Sequence, residues 1–152
     1  MDKGNDLEFA GEKRLFTELL DMNERIADHG LALTAVDVAI LIEDRRRVLH
    51  ENERIEFKGE ILPKLIQAFS DSPYIDRESF RDTVAELQEI FFFYKNESRD
   101  IVSDDELIVF MKKEFNGPAC GSIEYLKGTS LEQYAQKIRS GHAPGEDDRY
   151  GI

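Results

Sequence analysis

Phe80-Arg81-Asp82-Thr83-Val84-Ala85-Glu86-Leu87-Gln88-Glu89-Ile90-Phe91-Phe92-Phe93-Tyr94 is the stretch on which the fold turns. Its apolar residues Phe80, Val84, Leu87, Phe91 and Tyr94 recur at spacings of four, three, four and three. That is the period of one face of an α-helix. From Ile90 to Tyr94 the apolar residues cover every side of one turn, and a helix apolar all round is surrounded by protein. The pattern predicts a helix over 76–96 with Asp76 as its N-cap. Its C-terminal half is expected at the centre of the core, with residues 90–94 buried from all sides.

Upstream, Leu15, Leu19, Met22 and Ile26 keep helical spacing, and Gly30 offers a C-terminal stop, so a helix is expected over about 12–28. Thr34 with Asp37 resembles a capping box for a helix running to about Glu51. Val38, Leu41, Ile42, Val48 and Leu49 line its inner side, and Glu43, Asp44, Arg45, Arg46 and Arg47 its polar side. Residues 54–58 alternate polar and apolar with no second strand to pair with. They read as an extended connector pinned to the core by Ile55 and Phe57, or as a short two-stranded ribbon. Ile61, Leu62, Leu65, Ile66 and Phe69 restore helical spacing, with Pro63 acceptable only in a first turn. Asp71-Ser72-Pro73 ends that helix.

Downstream, Ser103 and Glu106 form a capping-box pattern, with Asp104 and Asp105 in the positive first turn of a helix that Asn116-Gly117-Pro118 stops. A short helical turn holds Ile123 and Leu126, and a last helix starting at Thr129 or Ser130 uses Leu131, Tyr134 and Ile138. The expected fold is therefore all-α: a single compact domain of six or seven helices over 12–140. Residues 1–11 are a frayed lead-in and 141–152 a mobile tail.

Composition narrows the function classes. Twenty basic residues against 32 acidic ones give a net charge of −12. That charge argues against nucleic acid, whose binding leans on cationic contacts to phosphate, and against an anionic membrane surface. The longest apolar run, residues 90–94, is too short to cross a bilayer, which needs about 20 residues. The opening residues, with Asp2, Asp6 and Glu8, do not read as a secretory leader. The single cysteine, Cys120, fits a reducing compartment, so a soluble cytoplasmic protein is expected.

Specific chemistries fare poorly. Aligned to a calcium-binding EF-hand loop with Glu106 at its twelfth position, Lys95 takes the first and Arg99 the fifth, and the sixth is Asp100 instead of glycine. His29, His50 and His142 stand far apart and make no metal-ligand spacing, so no metal is expected. Neither glycine-rich phosphate motif is present, and no cofactor is expected. The arginine triplet could grip phosphate, but acidic neighbours at helical spacing make it an ordinary solvated face. Cys120, beside Gly121 and ahead of a helix start at Ser122, is a candidate nucleophile with no histidine nearby in sequence.

Arg54-Ile55-Glu56-Phe57, Ser72-Pro73-Tyr74-Ile75, Phe91-Phe92-Phe93-Tyr94-Lys95-Asn96-Glu97 and Ser103-Asp104-Asp105-Glu106-Leu107 together resemble a family of small bacterial proteins of unknown function. The resemblance covers about Thr34 to Leu131. It implies a bacterial cytoplasmic origin and carries no catalytic residue onto this chain.

Two readings of function stand side by side. The first is a non-catalytic protein–protein interaction module for a basic partner. Its candidate contacts are the acidic cluster Asp100, Asp104 and Asp105, and the Tyr74–Ile75 loop, where apolar groups beside Pro73 either anchor a partner or tuck under a helix. The second is an enzyme or small-ligand protein with a site assembled from distant residues around Cys120. The sequence leaves the oligomeric state open.

Overall fold

The computed structural model describes residues 3–56 and 59–141, the side chains of 3–10 excepted. The fold is all-α, as expected. The described residues contain six helices of eight residues or more: α1 Lys3–Asp21, α3 Ala35–Glu51, α4 Ile61–Phe69, α5 Phe80–Glu97, α6 Asp104–Asn116 and α8 Glu132–Arg139. Shorter ones are α2, Asn23–Ile26, and α7, Ile123–Tyr125. Packing divides the chain into two compact units, one up to Glu89 and one from Ile90, with the boundary inside α5.

In the first unit, α1 starts ahead of the Glu12 that the apolar pattern indicated. It packs on α3, with Leu15 and Leu19 buried, and α2 adds Ile26. The α2–α3 connection is clamped by Asn23, which donates to the Leu33 carbonyl at 2.7 Å and accepts from its amide at 2.8 Å. The full Thr34–Asp37 capping box opens α3. Burial works against the Asp37 charge, but hydrogen bonds with Thr34 and the Arg81 guanidinium outweigh it and hold the carboxyl below the usual carboxylate range. The most enveloped helix of this unit is α4, where Ile61, Leu62, Pro63, Leu65, Ile66 and Phe69 are all buried. Gly59 before it has φ +63, and a Cβ there would sit 3.3 Å from a Leu15 methyl, so both backbone and space favour glycine.

Three expectations for this unit need correction. Residues 54–56 are irregular, and Ile55 is 74% exposed, so it pins nothing to the core; Phe57 lies outside the described residues. Arg45 is not on the polar side of α3 but 7% exposed. The segment is fastened through it instead: Nε lies 3.2 Å from Glu56 Oε1, and the guanidinium also donates to the Glu56 carbonyl. Finally, Asp76 and Ser79 bond reciprocally, so the expected N-cap shapes a turn at 77–79 from which α5 starts at Phe80.

In the second unit, Ile90, Phe91, Phe92 and Tyr94 are buried, but Phe93 is 42% exposed. The turn therefore presents one side to solvent, the side on which the polar Asn96 is also exposed. Phe91 meets Phe92 edge-on at 5.1 Å, and Phe110 stacks on Tyr134 at 4.2 Å. The turn at Ile123 and the last helix are not separate. A π-helical segment, Leu126–Leu131, joins α7 to α8. There the Tyr94 hydroxyl shares its proton between the Lys127 carbonyl (2.8 Å) and a Glu132 carboxylate oxygen (2.9 Å). Burial first, then the Glu132 carboxylate, push ionisation of Tyr94 well above the ordinary tyrosine range. At the end of α6, a Cβ on Gly117 would lie 2.8 Å from the Lys113 carbonyl oxygen, a distance no other residue tolerates.

Candidate functional site

The loop between α5 and α6 has an unusual backbone. Helix α5 closes with Ser98 N–H to the Tyr94 carbonyl and Asp100 N–H to the Lys95 carbonyl. Two successive residues then take left-handed conformations, Arg99 at φ 56° and Asp100 at φ 59°. Glycine is the usual occupant of such positions, and Asp tolerates them better than Arg because its short side chain can bond locally. Each departure costs on the order of 1–3 kcal/mol and persists only where the surroundings hold it. No glycine occurs between Glu97 and Asn116 to relieve it.

What holds the loop is a buried lysine. Lys95 is 7% exposed, and its ammonium donates to the Val102 carbonyl and lies 3.0 Å from Asp104 Oδ1. Its own carbonyl accepts from the Asp100 amide at 3.1 Å and the Ser98 hydroxyl at 2.9 Å. Val102 is fully buried and Ile101, its neighbour, is 59% exposed. The loop therefore presents one apolar side chain to solvent, with Asp100 and Asp105 exposed near it in sequence. Ser103 caps α6 by accepting from the Glu106 amide at 3.1 Å; the structure shows this half of the expected capping box.

The expected contact residues separate by environment. Asp100 and Asp105 are exposed, while Asp104 is half-buried and bridged to Lys95. In the first unit, Tyr74 stands out into solvent but Ile75 is buried, its amide bonded to the Ser72 carbonyl. Ile75 thus tucks into the core and offers a partner nothing. Cys120 is exposed in a left-handed conformation, φ 48°, and its thiol donates to the Gly117 carbonyl at 3.3 Å. That contact supplies no base to activate a nucleophile.

Sequence reasoning missed a cleft of about 580 Å³ in the first unit, lined by Arg45, Arg46, Arg47, Arg54 and His50 together with Glu12, Glu43 and Glu56. Four arginines suggest an anion site. Three of those charges, however, are already compensated in the fold. Arg45 is held by Glu56, Arg46 meets Glu12 through two nitrogens, and Arg47 bridges Asp44 at 2.6 Å and Glu51 at 2.9 Å. Among the described residues, no three His, Cys, Asp or Glu side chains converge as a metal would require, and no helix is long and apolar enough to cross a membrane.

Fold and loop together define an acidic all-α protein with a lysine-clamped helix–loop–helix. Residues 18–144 match a family of unknown function, DUF6323, and the chain belongs to that family. No curated protein and no solved structure matches it.

Proposed function

We propose that this chain is a non-catalytic protein–protein interaction module that engages a basic partner through the 98–106 loop. The observation that supports it is the exposed Ile101 on a strained, glycine-free loop clamped by Lys95. A backbone held at a cost, with an apolar side chain displayed and not buried, is what a docking loop requires. Rigidity in the free state lowers the ordering cost of binding. Asp100 and Asp105 suit a partner carrying Lys or Arg around an apolar seat, and they steer its approach. The single cysteine and the net charge of −12 fit a cytoplasmic protein that does not bind nucleic acid, and the family resemblance fits a bacterial one.

The test is capture from native cells with a photoreactive residue at position 101, compared with one at Val109, which is also exposed. The proposal expects a basic protein crosslinked from 101 and not from 109. Crosslinks equal at both positions, or none at 101, would contradict it.

A further inference from the structure

We infer that Lys95 is an internal cation around which the docking loop is organised, doing for 95–104 what a bound metal ion does for a calcium loop. This rests on the docking reading for its purpose, though not for its geometry. In an EF-hand, backbone carbonyl and carboxylate oxygens converge on a metal ion, and the ion fixes a loop that would otherwise relax. Here a carbonyl, that of Val102, and a carboxylate, that of Asp104, converge on the Lys95 ammonium. The register that places Lys95 where the first metal ligand would stand thus has a physical sense: the residue supplies the charge that the metal would have supplied.

The clamp acts from both ends of one residue. The Lys95 carbonyl holds the Asp100 amide and the Ser98 hydroxyl, while its ammonium holds Val102 and Asp104. Arg99 and Asp100, the two left-handed residues, lie between Ser98 and Val102, the nearest side-chain and carbonyl anchors. Removing the ammonium releases the second half of the loop, and the left-handed pair can then revert to ordinary backbone conformations. Ile101 would keep its exposure and lose its fixed direction.

Amide hydrogen exchange on the full chain tests this without any partner. In Lys95→Met, which keeps the length and apolar stem, exchange at Asp100 and Ile101 should rise by about tenfold or more, with Phe91 and Met111 unchanged. Asp104→Asn, which weakens the ammonium's exposed contact, should raise the same two amides by less and disturb no core amide. Unchanged exchange at Asp100 and Ile101 in Lys95→Met would overturn the inference. So would an equal rise at Phe91 and Met111 in both variants, which would make these residues ordinary supports of the unit. A released loop that still captured its partner undiminished would leave the clamp standing and count against rigid docking instead.

Discussion

Arg45 Nε lies 3.2 Å from Glu56 Oε1, with Arg45 only 7% exposed, so the middle of α3 reaches out to fasten the segment that leaves it. Breaking a fully buried ion pair costs about 3–5 kcal/mol and an exposed one less than about 1 kcal/mol. Arg45 is buried but Glu56 only in part, so Arg45→Ala should fall between, at about 2–3 kcal/mol by urea denaturation. Arg46→Ala, at a neighbouring arginine whose side chain is 59% exposed, should cost less than about 1 kcal/mol despite losing its Glu12 bond. Equal costs would mean that the buried pair contributes no more than a surface one.

The aromatic turn of α5 should divide in the same way. Phe91 has no exposure, and Phe91→Ala should cost about 3–5 kcal/mol. Phe93→Ala, at an exposed ring, should cost about 1 kcal/mol or less. Denaturant melts of the two variants check this, and a reversed order would place the wrong ring in the core.

Stability at the extremes of pH should carry two signatures. Tyr94 ionises near pH 10 in the unfolded chain and only well above that in the folded one. Its contribution is therefore complete below about pH 10 and is lost as pH rises beyond it, and Tyr94→Phe should flatten the alkaline limb. Asp37 is shifted the other way. Its contribution is present above the ordinary carboxylate range and is lost as pH falls through it, so Asp37→Asn should flatten the acid limb. Thermal melts across pH measure both.

Calcium should give no stoichiometric heat on calorimetric titration. The place it would take is filled by the Lys95 ammonium, and Arg99 stands at another ligand position. A single site of about micromolar affinity would contradict the internal-cation reading.

The fold was legible wherever periodicity and caps agreed. Leu15 to Ile26, the Thr34–Asp37 box, Pro63 in a first turn and Ser103 before α6 each state a local rule that the structure obeys. What stayed hidden depends on partners distant in sequence or on polar atoms whose burial periodicity cannot report. Arg45 reads as a solvated arginine until Glu56 is placed beside it, and Lys95 as a helix-end cation until Val102 folds back over it. Ile55 and Ile75 show the reverse. Two apolar residues in connecting segments look alike in sequence, yet one is exposed and the other buried. Of the candidate site, the acids at 100, 104 and 105 were visible as composition. The displayed Ile101 was not, since only the left-handed pair before it turns that side chain outward while Val102 goes in.

If Ile101 and its neighbouring acids dock a basic protein, its capture must depend on them. The most direct measurement is quantitative capture from native cells by the full chain, by Ile101→Ser, by Asp105→Asn and by Val109→Ser. All three substitutions are at exposed side chains, so none of the variants should unfold the protein. One basic protein should be enriched by the parent chain and reduced about tenfold or more with Ile101→Ser, a loss of about 1.4 kcal/mol or greater. Asp105→Asn should reduce it by less and weaken its dependence on salt, and Val109→Ser should leave it unchanged. Capture of the same proteins in equal amounts by all four chains would rule out docking at Ile101.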